Sequence, residues 1–102
     1  MIMAVTTTFL NKVKTALRVS FTNTSIDNQI TDLIEEAILD LCETADIKSF
    51  TSADADAMQT GAVISYVSYK WFNEERYFTA YNDMKSKMAL SDKYRSVMTD
   101  EE

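Results

Sequence analysis

Apolar residues recur along this chain at steps of three and four, the period of a helix, in four blocks separated by polar stretches. The clearest stripe is Ile26, Ile30, Leu33, Ile34, Ala37, Ile38 and Leu41, which predicts a helix over 25–44. Its acids, Asp27, Asp32, Glu35, Glu36 and Asp40, are expected on the outer face, several of them toward the N-terminal end of the dipole. The preceding block predicts a helix over 7–18, with Leu10, Val13 and Leu17 buried and Lys12 and Lys14 outward. Between them SFTNTS is rich in hydroxyl and amide side chains that turn and cap, and Thr24 with Asp27 has the capping-box spacing.

A second such pair, Thr51 with Asp54, opens a predicted helix over 52–72. Ala57, Gly61, Ser65 and Ser68 form a stripe of small side chains on it, beside Val63, Val67 and Trp71. Glycine inside a helix costs about 1 kcal/mol against alanine, so Gly61 is expected where another helix comes close. The last block, 78–98, opens on a stripe of Tyr77, Tyr81, Met84 and Met88. Beyond it the phase changes: Leu90, Tyr94, Val97 and Met98 fall on nearly the opposite side of an ideal wheel. Either the helix breaks near 90, with Ser91 capping a new one, or one helix offers two faces to two neighbours. That off-phase face, together with Arg95, is a candidate docking surface; the other reading is a bent helix returning to its own core. The expectation is an all-α chain, a compact bundle of about four helices in one domain over 1–102. Its C-terminal segment is expected to be mobile, with 99–102 disordered until bound.

Composition supports helices over sheets. There is no proline and one glycine, whereas turn-rich β structure needs both. One cysteine, Cys42, on the apolar side of the second helix, reads as a small buried hydrophobe, since Asp40 and Glu43 are the wrong neighbours for a reactive thiol. The opening MIMAVTTTFL lacks the basic leader and apolar core of a signal peptide, and no apolar run reaches the ~18 residues of a membrane span. A cytoplasmic site of synthesis and no membrane partner are expected.

Charge is segregated along the chain. The net charge is −6, but residues 1–26 carry Lys12, Lys14 and Arg18 and no acid, while 27–56 carry nine acids against Lys48. An acidic surface repels phosphate and disfavours ordinary nucleic-acid binding. The segregation suits a head-to-tail contact between copies, with Lys12, Lys14 and Arg18 of one meeting Asp32, Glu35 and Glu36 of the next. The alternative is two solvated faces of one monomer.

Catalytic chemistry finds little purchase. With no histidine, one cysteine and one glycine, zinc sites, Glu-x-x-His di-metal sites and glycine-rich phosphate loops are excluded. Glu35 and Glu36 are adjacent on a helix and point apart, and Asp54-Ala-Asp56 lacks the glycine and terminal glutamate of a calcium loop. The aromatic and basic residues Tyr66, Tyr69, Lys70, Trp71, Arg76 and Tyr77 follow a helix stripe and read as core or protein interface rather than a single-strand platform. No catalytic residue, cofactor or metal is expected.

Several stretches, in order, are similar to those of head–tail connector (adaptor) proteins of tailed bacteriophages. Val13-Lys14 with Leu17-Arg18-Val19 resembles that family's opening; Asp27, Ile30, Leu33, Ile34 and Ala37 resemble its second helix. Tyr69 to Arg76, with Asn73 and Glu74, echoes the close of its third, and Leu90 with Tyr94-Arg95 its end. Together they span most of 9–95; the departure is a fourth helix richer in tyrosine and methionine. The resemblance implies a structural adaptor of the virion, assembled in the host cytoplasm as a ring, commonly twelve-fold, beneath the portal protein. Such a ring extends the DNA channel, binds no DNA sequence specifically, and docks the tail or a stopper protein. The rival reading is a free-standing helical regulator that binds one host or viral protein through the same C-terminal face.

Overall fold

The computed structural model describes residues 5–19, 23–44, 50, 55–91 and 94. Within them the chain forms α1 (Thr7–Ala16), α2 (Thr24–Thr44), α3 (Ala57–Phe72) and α4 (Glu75–Ala89), and no strand. The all-α bundle expected from the periodicity is what forms. α3 is the central helix: it packs most extensively on α4, next on α2, and also meets α1, which contacts α2 as well.

The helix ends differ from the sequence reading for local reasons. α1 starts where Thr6 Oγ1 accepts from the Phe9 amide at 3.1 Å. It stops two residues before the expected Arg18. Arg18 takes a left-handed φ of 62°, its N–H donating to Thr15 O, while the Val19 N–H donates to Lys14 O. That pair of bonds is a Schellman closure, usually made by glycine. Here an arginine bears the left-handed cost, about 1–2 kcal/mol, and Val19 packs against the core in return.

α2 begins one residue ahead of the expected start, because Asn23 rather than Thr24 is the cap: its Oδ1 accepts from the Ile26 amide at 3.1 Å. α3 begins at Ala57, five residues after the expected 52, with Ala55 and Asp56 outside the helix. Asp56 and Gln59 form a reciprocal capping box, each side chain accepting from the other's backbone at 2.9 Å. The expected Thr51–Asp54 signal lies outside the described residues. Asn73, left-handed at φ 57°, ends α3, and α4 starts directly after Glu74, three residues ahead of the expected 78. α4 ends at Ala89 and Ser91 is no longer helical, so the phase change at 90 marks a break. Arg95, Val97, Met98 and the tail 99–102 lie outside the described residues.

The core follows the predicted stripes, with Phe9 added beside Val13 and Leu17 on α1. Ile30, Ile34, Ile38 and Leu41 of α2 meet Val63 and Val67 of α3, all at most 1% exposed. Each such aliphatic side chain contributes about 1.5–3 kcal/mol on burial. Gly61 sits under α4 as expected: a Cβ there would lie 3.3 Å from the Met84 sulfur.

Candidate functional site

The functional surface is best found by removing the polar groups that the fold consumes. Three of the α2 acids expected on the outer face are turned to internal partners. Asp27 pairs with Lys14 at 2.8 Å, and Lys14 is itself buried, not outward as its position suggested. The geometry is an ion pair off the hydrogen-bond angle, so the buried Asp27 Oδ1 has the lysine charge but no aligned donor.

Glu36 and Asp40, one turn apart on α2, each accept from a tyrosine hydroxyl, Tyr66 of α3 and Tyr81 of α4. A lysine flanks each: Lys70 lies 3.8 Å from Glu36 and Lys85 3.0 Å from Asp40. The rings meet edge to face at 5.1 Å, and Lys85 stands 5.5 Å over the centre of Tyr81. Burial first, then the hydrogen bond and charge of the carboxylate, push both phenols well above the ordinary tyrosine range. These tyrosines are proton donors to structural carboxylates, not acids or bases poised near neutral pH.

What remains is informative. Of the bases among the described residues, Lys14, Lys70, Arg76, Lys85 and Lys87 have an acid within ion-pair distance, and Lys12 and Arg18 do not. Both belong to α1 or its closure. On α2 the acids Asp32, Glu35 and Glu43 are left over, Asp32 and Glu43 fully at the surface, along with an exposed Leu39. The segregation of charge therefore survives subtraction of the internal pairs among the described residues. The candidate subunit contacts divide accordingly: Lys12, Arg18, Asp32 and Glu35 remain available, while Lys14 and Glu36 are engaged within the chain.

Two open grooves flank these charges. One, between α1 and α3, is lined by Thr8, Asn11, Lys12, Thr15 and Ile64. The other, between α2 and α3, is lined by Gln29, Asp32, Leu33, Lys70 and Trp71.

At the far end the candidate docking residues separate. Leu90 is 83% exposed, whereas Tyr94 is 9% exposed and packs with the core. The Tyr94 hydroxyl donates to Asp56 Oδ2 at 2.7 Å, while Asp56 Oδ1 caps α3. For Tyr94, then, the chain does return to its own core. The sequence reading missed this latch and both tyrosine–carboxylate bonds. One signal was available: a tyrosine on a buried stripe needs a hydroxyl partner, and α2 offered acids at four-residue spacing.

No group of three or more metal-ligating side chains gathers among the described residues, and no helix there is long and apolar enough to cross a membrane. The chain belongs to the phage connector protein family, whose model matches residues 9–95. No curated protein and no solved structure matches it significantly. Membership gives it a structural part in the head–tail connector of a phage particle, in contact with portal or tail components.

Proposed function

We propose that this chain is the adaptor of its connector: copies assemble as a ring beneath the portal, extend the DNA channel and present a platform to a stopper or tail-completion protein. The observation that carries this reading is the residual charge. Basic Lys12 and Arg18, on α1 and its closure, form no ion pair with acidic Asp32 and Glu35 of α2. A contact between unlike patches runs head to tail, and head-to-tail contacts close into rings when the rotation allows. Each contact is weak, since exposed ion pairs contribute about 0–1 kcal/mol. Repetition on a portal template makes the sum strong. The net charge of −6 keeps the assembly from adhering to the DNA that passes it.

On the portal side the exposed Leu90 is the anchor available, with Arg95, Val97 and Met98 following it in sequence. The twelve-fold ring is the arrangement expected from a portal template. Incubation with isolated rings of the portal protein, read by analytical ultracentrifugation and negative-stain microscopy, tests the proposal. A defined extra ring on the tail-facing end, lost in Leu90→Asp, supports it. No association well above assembly concentrations sinks it and leaves the single-partner regulator. Leu90→Asp is a cleaner variant than truncation after Ala89, which also unseats Tyr94.

A further inference from the structure

We infer that the groove walled by Leu33 and Trp71 is the seat into which α1 of a neighbouring copy docks, with Lys12 of that copy reaching Asp32. The inference rests on the ring reading and deepens it by naming the anchor. Trp71 packs on the core through one side and stays partly exposed on the other, at the wall of an open groove. A fixed tryptophan with an open face is the residue type that most often dominates an interface, because it brings large apolar area at little entropic cost.

The groove's charge selects its occupant. Asp32 at its rim has no ion-pair partner among the described residues. Lys70, the cation beside it, is compensated by Glu36 at 3.8 Å and by the Tyr66 and Tyr69 rings at 5.6 and 5.9 Å. The groove therefore presents one net negative charge beside apolar walls, and fits a slender helix face carrying a single cation.

The exposed face of α1 beside its own open groove with α3 has that form. Thr8, Lys12 and Thr15 recur at helical spacing and are exposed, so short hydroxyl side chains flank one lysine. Small side chains let a second helix approach closely, and their methyl groups suit an indole face. The lysine stem lies along Trp71 while its ammonium reaches the carboxylate, a cation–aromatic contact added to an ion pair. Donor and acceptor patches differ, as a ring requires.

The chain's single tryptophan makes the test direct. Replacing it with 5-hydroxytryptophan gives a fluorophore that can be excited without exciting portal tryptophans. Assembly is followed by sedimentation, alone in a concentration series and on portal rings. The expected result is a blue shift and at least a twofold loss of acrylamide quenching as copies assemble. Lys12→Glu and Asp32→Lys should each weaken assembly about tenfold, and the double swap should recover to within about threefold of the native chain. Assembly with unchanged emission, or a double swap that fails to rescue, overturns the seat and leaves the ring standing. Absence of self-association both alone and on portal overturns the ring reading, and the seat with it. Thermal unfolding of each variant confirms that the fold is intact.

Discussion

Along α3 and α4, Tyr66, Tyr81, Lys70 and Lys85 are all engaged by two carboxylates of α2, Glu36 and Asp40. Along α1 and its closure Lys14 is engaged, and Lys12 and Arg18 face solvent with no acid in ion-pair reach among the described residues. The same acidic helix thus serves two ends. Its side toward α3 and α4 spends charge on fixing helix packing, and its open side keeps charge for association. Of the first kind, Asp40 and Lys85 are partly buried, so losing one strands the other, while Glu36 and Lys70 pair at the surface. Charges of the second kind stay hydrated, so they contribute little to folding and are free to act between copies.

The largest effect should come from the engaged side. Tyr81→Ala removes a ring that is 1% exposed, together with the donor to Asp40. A loss of about 3–5 kcal/mol is expected in urea unfolding, as for other large buried aromatics. Tyr81→Phe keeps the ring, and Lys85 still faces Asp40, so its cost should be about 1–2 kcal/mol. Equal losses for the two variants would mean that the hydroxyl, not the packing, holds α4.

The buried pair of α1 comes next. Lys14→Met leaves Asp27 charged and without its counter-ion, at a cost of about 1–3 kcal/mol. Adding Asp27→Leu should recover most of that, since a buried pair is worth little against apolar groups of similar size. A double variant as unstable as the single one would show that the pair organises the α1–α2 turn itself.

Alkaline pH should act on the engaged side through its two tyrosines. Tyr66 and Tyr81 are held above the ordinary tyrosine value of 10.0 in the folded chain. Below that value both states are protonated and the full contribution is present. Above it the unfolded phenols ionise while the folded ones do not, so stability falls as pH rises beyond about 10. Urea midpoints between pH 8 and pH 11 check this, and Tyr66→Phe with Tyr81→Phe should flatten the slope. Phenolate absorbance in the folded protein should likewise show these two ionising above the ordinary tyrosine value.

The smallest effect on the fold belongs to the open side. Lys12→Glu should change the free energy of unfolding by no more than about 0.5 kcal/mol while weakening assembly about tenfold. A large loss of stability there would erase the contrast between the two sides.

Much of the fold was legible because helical period is a local property. The stripes in 25–44 and 52–72 needed only their own residues, and so did the close approach at Gly61 and the phase change at Leu90. Caps were read less well. Thr and Asp recur often enough to offer rival boxes, and Asn23 and Asp56 took the places expected of Thr24 and Thr51. The candidate site was legible as a charge pattern and not as a residue set. Lys12 and Lys14 look alike in sequence, and so do Asp32 and Glu36, yet one of each is exposed and free while the other is engaged.

By itself, then, the order of residues determined four helices, their apolar faces and an excess of base before acid. Which charges survive to meet a partner was decided only when the helices crossed. A side chain's direction about its own helix follows from local spacing. Its partner follows from packing of the core, which brings side chains as far apart in the chain as Asp40 and Lys85, 45 residues, to within 3.0 Å.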